Sequence, residues 1–150
     1  MSIRHSFIIW VSLVLAVLDR LGKIASLSTN DPLFQLGRLF EFHQFKNSGA
    51  AFSLPIPTTI IITVTLVVFF LLLLIAKQSW STNKTRSLVC ITILVGAFGN
   101  LLDRILYGYT VDYLIFFERS AINISDIIIV CGSFLLLFNQ KPSEKPVDNQ

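Results

Sequence analysis

Three acidic residues sit inside stretches of chain that are otherwise almost entirely apolar: Asp19, Asp103 and Asp126. A charge in a bilayer is costly, so an acid in such a stretch marks a functional site by default. Their depths can be compared from spacing. Asp19 lies 14 residues after His5, Asp103 17 residues after Arg86, and Asp126 15 residues before Lys141. On helices rising about 1.5 Å per residue, these offsets are roughly 21, 26 and 23 Å from one boundary. The hydrocarbon core is about 30 Å thick. All three acids therefore reach one level, near the far surface, and point to one polar site shared by three helices. A further acid, Asp112, follows in Gly108-Tyr109-Thr110-Val111-Asp112-Tyr113, and a short re-entrant run is expected to return it to that level.

Paired carboxylates are the hydrolytic tools this chain offers. It has no Ser/His/Asp set, no HExxH and no Cys/His pair: His5 lies near the N-terminus, and His43 lies in an outer segment without a partner. Two carboxylates held close share a proton, because both cannot ionise cheaply. One then takes a proton from water and the other donates to the developing oxyanion. No metal or cofactor is needed. A bland reading stands beside this one. Asp103 with Arg104, and Asp19 with Lys23, are expected as ion pairs that hold helices together, with Asp19 also able to line a substrate path. For Asp112 alone an ordinary loop acid is the default.

Elements must carry these residues, and composition says which. Of 150 residues, 53% are hydrophobic and only 14% charged, with 13 Phe; mean hydropathy is +0.71. A soluble domain carries about 25% charged residues. The net charge of +3 leaves no electrostatic footprint for nucleic acid. The expected fold class is an all-α polytopic membrane protein. Its four transmembrane helices cover about 7–24, 58–77, 87–106 and 122–139, within one domain of 1–139. A disordered cytoplasmic tail is expected at 140–150. The second stretch, TTIIITVTLVVFFLLLLIAK, is charge-free until its end and close to the ~20 residues a bilayer requires. The first could pass for a signal peptide, but no A-x-A-like site follows, so it reads as a retained span.

Four spans put both termini on one side. Arg4, Lys77, Lys84, Arg86, Lys141 and Lys145 lie on that side, against Arg38, Lys46 and Arg119 opposite; this bias makes the termini cytoplasmic. The outer segment, about 26–57, alternates aromatic and polar residues around Phe40–Phe45 and reads as a small β-rich cap. Gly96 and Gly99 thin the third helix and permit close approach. Cys90 and Cys131 sit in apolar runs and read as filler.

Four blocks together resemble bacterial lipoprotein signal peptidase (signal peptidase II) over about residues 7–139. They are Leu18-Asp19-Arg20-Leu21-Gly22-Lys23; Asn47-Ser48-Gly49-Ala50-Ala51-Phe52-Ser53; Gly96-Ala97-Phe98-Gly99-Asn100-Leu101-Leu102-Asp103-Arg104 continued by Gly108 to Tyr113; and Asn123-Ile124-Ser125-Asp126. The resemblance implies an aspartic endopeptidase of the bacterial inner membrane, its site near the periplasmic face, with Asp112 and Asp126 as catalytic dyad. It implies supporting or substrate-binding roles for Asp19, Lys23, Asn47, Gly49, Asn100, Asp103, Arg104 and Asn123, and no metal or cofactor. The implied substrate is a prolipoprotein carrying diacylglyceryl on its lipobox cysteine, cut just before that cysteine. Membrane lipids are the other partner, and a monomer is expected. Departures from the family pattern are Arg20 and Gly22 in the first block, Ile122 and Ser125 in the fourth, Tyr113 for a usual Phe, and a short Asp112-to-Asp126 interval. Two other functions stay open: a small proton-coupled transporter or membrane-assembly subunit, and an inactive homologue that binds lipidated substrates. A relay wants acids spread across the membrane, whereas these cluster at one depth.

Overall fold

The structure, a computed structural model, describes residues 3–49 and 54–138. The tail at 140–150 and Ala50–Ser53 of the second block lie outside the described residues. The described chain is mostly helical with one small antiparallel sheet. Helix α1 covers Ile3–Leu27, α2 Thr58–Ser79, α3 Lys84–Tyr107 and α4 Ile124–Phe138. Strands β1 (Phe34–Leu36), β2 (Phe40–Asn47), β3 (Thr110–Phe116) and β4 (Ser120–Ile122) form a sheet in the order β1-β2-β3-β4. Helices α2 and α3 are each long and apolar enough to cross a membrane.

The helix ends follow local chemistry. Asn83 caps α3, its side chain accepting from the Arg86 N–H at 3.0 Å. Gly108 ends α3 in the left-handed region at φ 79° and donates its N–H to the Arg104 carbonyl, a C-terminal stop that glycine adopts without strain. Asn123 opens α4. Its Oδ1 accepts from the Asp126 N–H at 2.9 Å, while the Asp126 carboxylate accepts from the Asn123 N–H at 3.2 Å. This is a reciprocal capping box, so the acid predicted to do chemistry also builds the helix start that holds it.

The burial pattern is inverted relative to a water-soluble protein. A compact apolar cluster, Leu72, Ala76, Val89, Cys90, Ile93 and Leu94, joins α2 to α3. The other fully buried side chains are mostly polar, among them Lys23, Asp103, Asp112 and Asn123, while Trp10, Phe70, Val130 and Phe134 are exposed. An apolar exterior around a polar interior suits a lipid solvent. Gly96 and Gly99 bring α3 against α4: a Cβ at Gly96 would lie 3.0 Å from the Ser125 carbonyl, and one at Gly99 2.7 Å from Ser125 Oγ.

Two expectations about the connections are corrected. The chain is mostly helical with the expected small β-rich cap, but the sheet does not lie wholly between the first two helices. Half the strands come from the connection between α3 and α4. Nor is that connection a re-entrant run. It is a β-hairpin in which Leu114, Ile115 and Phe116 pair with Ile122, Ala121 and Ser120. The reason is backbone satisfaction: β3 fills the open edge of β2, so the N–H and C=O groups of both strands find partners. Between the Phe42↔Leu114 and Phe45↔Asp112 pairs, β2 carries an extra residue. Such a bulge bends a strand and re-aims its neighbours, and it lies opposite Tyr113.

The hairpin turn stores strain. Phe117 and Glu118 both have positive φ, 55° and 56°, and Arg119 N–H closes the turn on the Phe116 carbonyl. A left-handed L-residue costs about 1–2 kcal/mol. Glu118→Gly is therefore expected to raise stability by about 1 kcal/mol, measured by thermal unfolding in detergent. The Arg38–Glu118 contact it removes is exposed, at 3.6 Å, and contributes little.

Candidate active site

The three acids of the apolar stretches, Asp19, Asp103 and Asp126, are joined in the fold, as the spacing predicts. Lys23, fully buried near the end of α1, joins two of them: its Nζ lies 3.1 Å from Asp19 and 2.7 Å from Asp103, and donates to Asn100 Oδ1 at 2.9 Å. Asn100 in turn donates from Nδ2 to Asp126 at 2.8 Å. Asp19, Lys23, Asn100, Asp103 and Asp126 thus form one hydrogen-bonded network across α1, α3 and α4.

Asp103 and Arg104 do not pair with each other. Adjacent residues on a helix point about 100° apart, and the two side chains go to different partners. Asp103 accepts from Arg20 at 2.8 Å, from Lys23, and from the Val111 N–H at 3.3 Å. It thereby ties α1 and β3 to α3. Arg104 reaches across to the Gly49 carbonyl at 3.4 Å and lines a cavity with both Asp112 and Asp126.

Strand β3 delivers Asp112 to that cavity. Side chains alternate along a strand, so Val111 and Tyr113 turn to one side and Thr110 and Asp112 to the other. Asp112 is 1% exposed. Asn47, diagonal to it on β2, donates to Oδ2 at 2.9 Å, and Asn123 donates to Oδ1 at 2.6 Å. Gly49 N–H in turn holds the Asn47 side chain at 3.1 Å. Asn123 is the hinge of the arrangement: its Nδ2 meets Asp112 and its backbone N–H meets Asp126. One buried residue therefore fixes both carboxylates. The cavity they line has a volume of about 470 Å³ and includes Asn47, Arg104, Thr110 and Arg119. Among the described residues no cluster of side chains suits a metal ion.

Burial lifts the Asp112 carboxyl to about 6, and the nearby Asp126 charge adds to the rise; donors from Asn47 and Asn123, and the Lys23 charge, oppose it. Asp112 therefore accepts a proton far more readily than an exposed aspartate does. Burial and the Asp19 charge likewise push the Tyr113 phenol upward, which keeps it a hydrogen-bond donor.

Three of the residues that depart from the family pattern, Gly22, Tyr113 and Ser125, gather around Asp19. Tyr113 Oη donates to it at 3.1 Å, Ser125 Oγ at 2.7 Å and Ser125 N–H at 3.1 Å. Gly22 makes room for the phenol, since a Cβ there would lie 2.6 Å from Tyr113 Cζ. Asp19 thus holds the residue immediately after Asp112 and the residue immediately before Asp126. The sequence alone does not reveal this role for Gly22, Tyr113 and Ser125. The signal was present: three departures, each one turn or one residue from a site acid. Gly22→Ala is expected to cost about 1–3 kcal/mol by overpacking against the buried ring, read as a lowered unfolding temperature.

Over 95% of the chain and 92% of the relative, the sequence is 30% identical to the lipoprotein signal peptidase of Pseudoalteromonas translucida. It is 28% identical, with the same coverage, to that of Psychromonas ingrahamii. The fold is similar to a bacterial membrane enzyme solved by the in meso method at 2.3 Å resolution, with TM-score 0.72 and 19% identity over 93% of this chain and 94% of that one. A second such structure, at 1.9 Å resolution, has TM-score 0.69 and 19% identity over 89% and 91%. The family model described as signal peptidase (SPase) II matches residues 11–140, and the chain belongs to that peptidase family.

Proposed function

We propose that this protein is an intramembrane aspartyl endopeptidase. It removes the signal peptide from prolipoproteins carrying a diacylglyceryl-modified cysteine, cutting just before that cysteine. The observation that carries this reading is the pair of carboxylates, Asp112 and Asp126, held by one buried asparagine at a shared cavity.

The chemistry divides between the two acids. Asp112, with its raised pKa, holds the proton; Asp126 is the base. A water oxygen attacks the scissile carbonyl carbon and gives a proton to Asp126. Asp112 donates its proton to the carbonyl oxygen, producing a neutral gem-diol. The C–N bond then breaks as Asp126 passes its proton to the leaving nitrogen, and a diol hydroxyl returns a proton to Asp112. Atoms and charge balance without a metal. Asn47 and Asn123 keep Asp112 aimed, and Asn100 and the α4 cap keep Asp126 aimed. Arg104 supplies a positive charge at the cavity wall, suited to developing negative charge or a substrate carbonyl.

In this reading all four helices span the bacterial inner membrane, with both termini cytoplasmic and the site near the periplasmic face. The sheet forms the periplasmic cap, and the protein works as a monomer. Acids at one depth near the outer surface suit a scissile bond at the headgroup level.

The test uses purified protein in lipid nanodiscs with a diacylglyceryl-modified prolipoprotein and its unmodified counterpart. Mass spectrometry of the products is expected to place the cut directly before the modified cysteine and to show little cleavage of the unmodified chain. Cleavage at another bond, or none of the modified substrate by folded protein, contradicts the reading.

A further inference from the structure

One hydroxyl in the site has no partner among the described residues. Thr110 is 2% exposed, and its Oγ1 makes no hydrogen bond among the described residues. The buried hydroxyls of Ser12, Ser26, Ser87, Ser125 and Tyr113 are all bonded. Burying a hydroxyl without a partner is unfavourable, so each exception calls for a reason. A valine of nearly the same shape would fill the position without that cost.

The location supplies the reason. Thr110 lines the same cavity as Asp112, Asp126 and Arg104. It starts β3, paired directly with Asn47, the residue that donates to Asp112. Two residues apart on one strand, Thr110 and Asp112 share a face, about 6.6 Å apart along the strand. An extended peptide advances about 3.3–3.6 Å per residue. A substrate chain with its scissile carbonyl at the carboxylates would therefore bring another backbone group past Thr110, about two residues away.

We propose that Thr110 is a substrate-contacting residue whose hydroxyl donates to a main-chain carbonyl of the bound peptide. This rests on the reading of the cavity as the peptidase site. Oγ1 is closed off in this conformation; a turn about the Thr110 Cα–Cβ bond aims it into the cavity, where the substrate backbone completes its hydrogen bonding. Because the contact is to main chain, it serves any side chain near the cut. Substrate binding, rather than folding, is where the hydroxyl acts.

Thr110→Val removes the hydroxyl and keeps the shape; Thr110→Ser restores the hydroxyl without the methyl. Cleavage of the modified prolipoprotein by full-length protein is measured alongside thermal unfolding. Thr110→Val is expected to lower kcat/KM about 5–10-fold, the usual effect of losing one hydrogen bond, with an unfolding temperature equal to or above the parent's. Thr110→Ser is expected to recover most of the loss. An unchanged kcat/KM in Thr110→Val with raised stability would overturn the proposal, leaving the hydroxyl merely unsatisfied. Equal losses in both variants would also overturn it, assigning the effect to the methyl. Asp112→Asn in the same series separates the two claims. If it is inactive while Thr110→Val is unaffected, only the Thr110 assignment fails; if it cleaves like the parent, the site reading itself fails.

Discussion

Asp112→Asn is expected to abolish cleavage and, at the same time, to flatten the pH dependence of stability. The first effect follows from the proposed chemistry: asparagine cannot donate a proton and take it back, a role that contributes about 10²–10⁴-fold in rate. The second follows from linkage. The Asp112 pKa is raised from 3.8 to about 6 in the fold, so the folded state binds its proton more tightly than the unfolded state. The contribution is fully present below the unfolded value and is lost as pH rises through the folded value. A shift of about two units corresponds to about 3 kcal/mol. The parent should therefore lose stability between about pH 4 and pH 6. Asp112→Asn should lack that part of the slope. Chemical unfolding across this range checks it. A parent curve with no such decline would mean that Asp112 stays ionised, and the proton donor would have to be sought elsewhere.

The largest loss of stability is expected at Lys23. Lys23→Met keeps an apolar stem of similar length but removes the cation between Asp19 and Asp103. Breaking a buried pair from one side strands the partner charge, typically at about 3–5 kcal/mol. Asp103 keeps Arg20 and the Val111 N–H, and Asp19 keeps Tyr113 and Ser125. Asp19 therefore loses its only ion-pair partner among the described residues, and Asp19→Asn in the Lys23→Met background should recover part of the loss. The combined energies give the coupling of the pair. A Lys23→Met protein that unfolds at the parent's temperature would show that the network is not what joins α1 to α3.

Much of this arrangement was legible in the sequence because it depends on helix geometry. Rise per residue alone brought Asp19, Asp103 and Asp126 to one level, and the network through Lys23 and Asn100 joins them there. Gly96 and Gly99 announced a close helix contact, and Ser125 fills it. What was not legible depends on pairing distant in sequence. No local pattern says that β3 pairs with β2, about seventy residues earlier, so the cap appeared to belong to one connection rather than two. For the same reason Asp112 could be assigned only through the resemblance: its position depends on strand register, not on helical rise. Proximity in sequence misled for Asp103 and Arg104, because neighbours on a helix diverge. The departures at Gly22, Tyr113 and Ser125 looked like separate irregularities. In the fold they are one unit, a phenol and a hydroxyl bonded to Asp19 with a glycine making space.

We propose that Asp112 and Asp126 act as one catalytic unit. A double-mutant cycle on kcat tests it most directly, with Asp112→Asn, Asp126→Asn and the double variant assayed against the modified prolipoprotein. Residues that act together lose their effect together. Each single variant should lose nearly all activity, and the double variant should be no slower than either. A single variant that retains parental activity, or single losses that multiply in the double variant, would show that the two carboxylates do not act together.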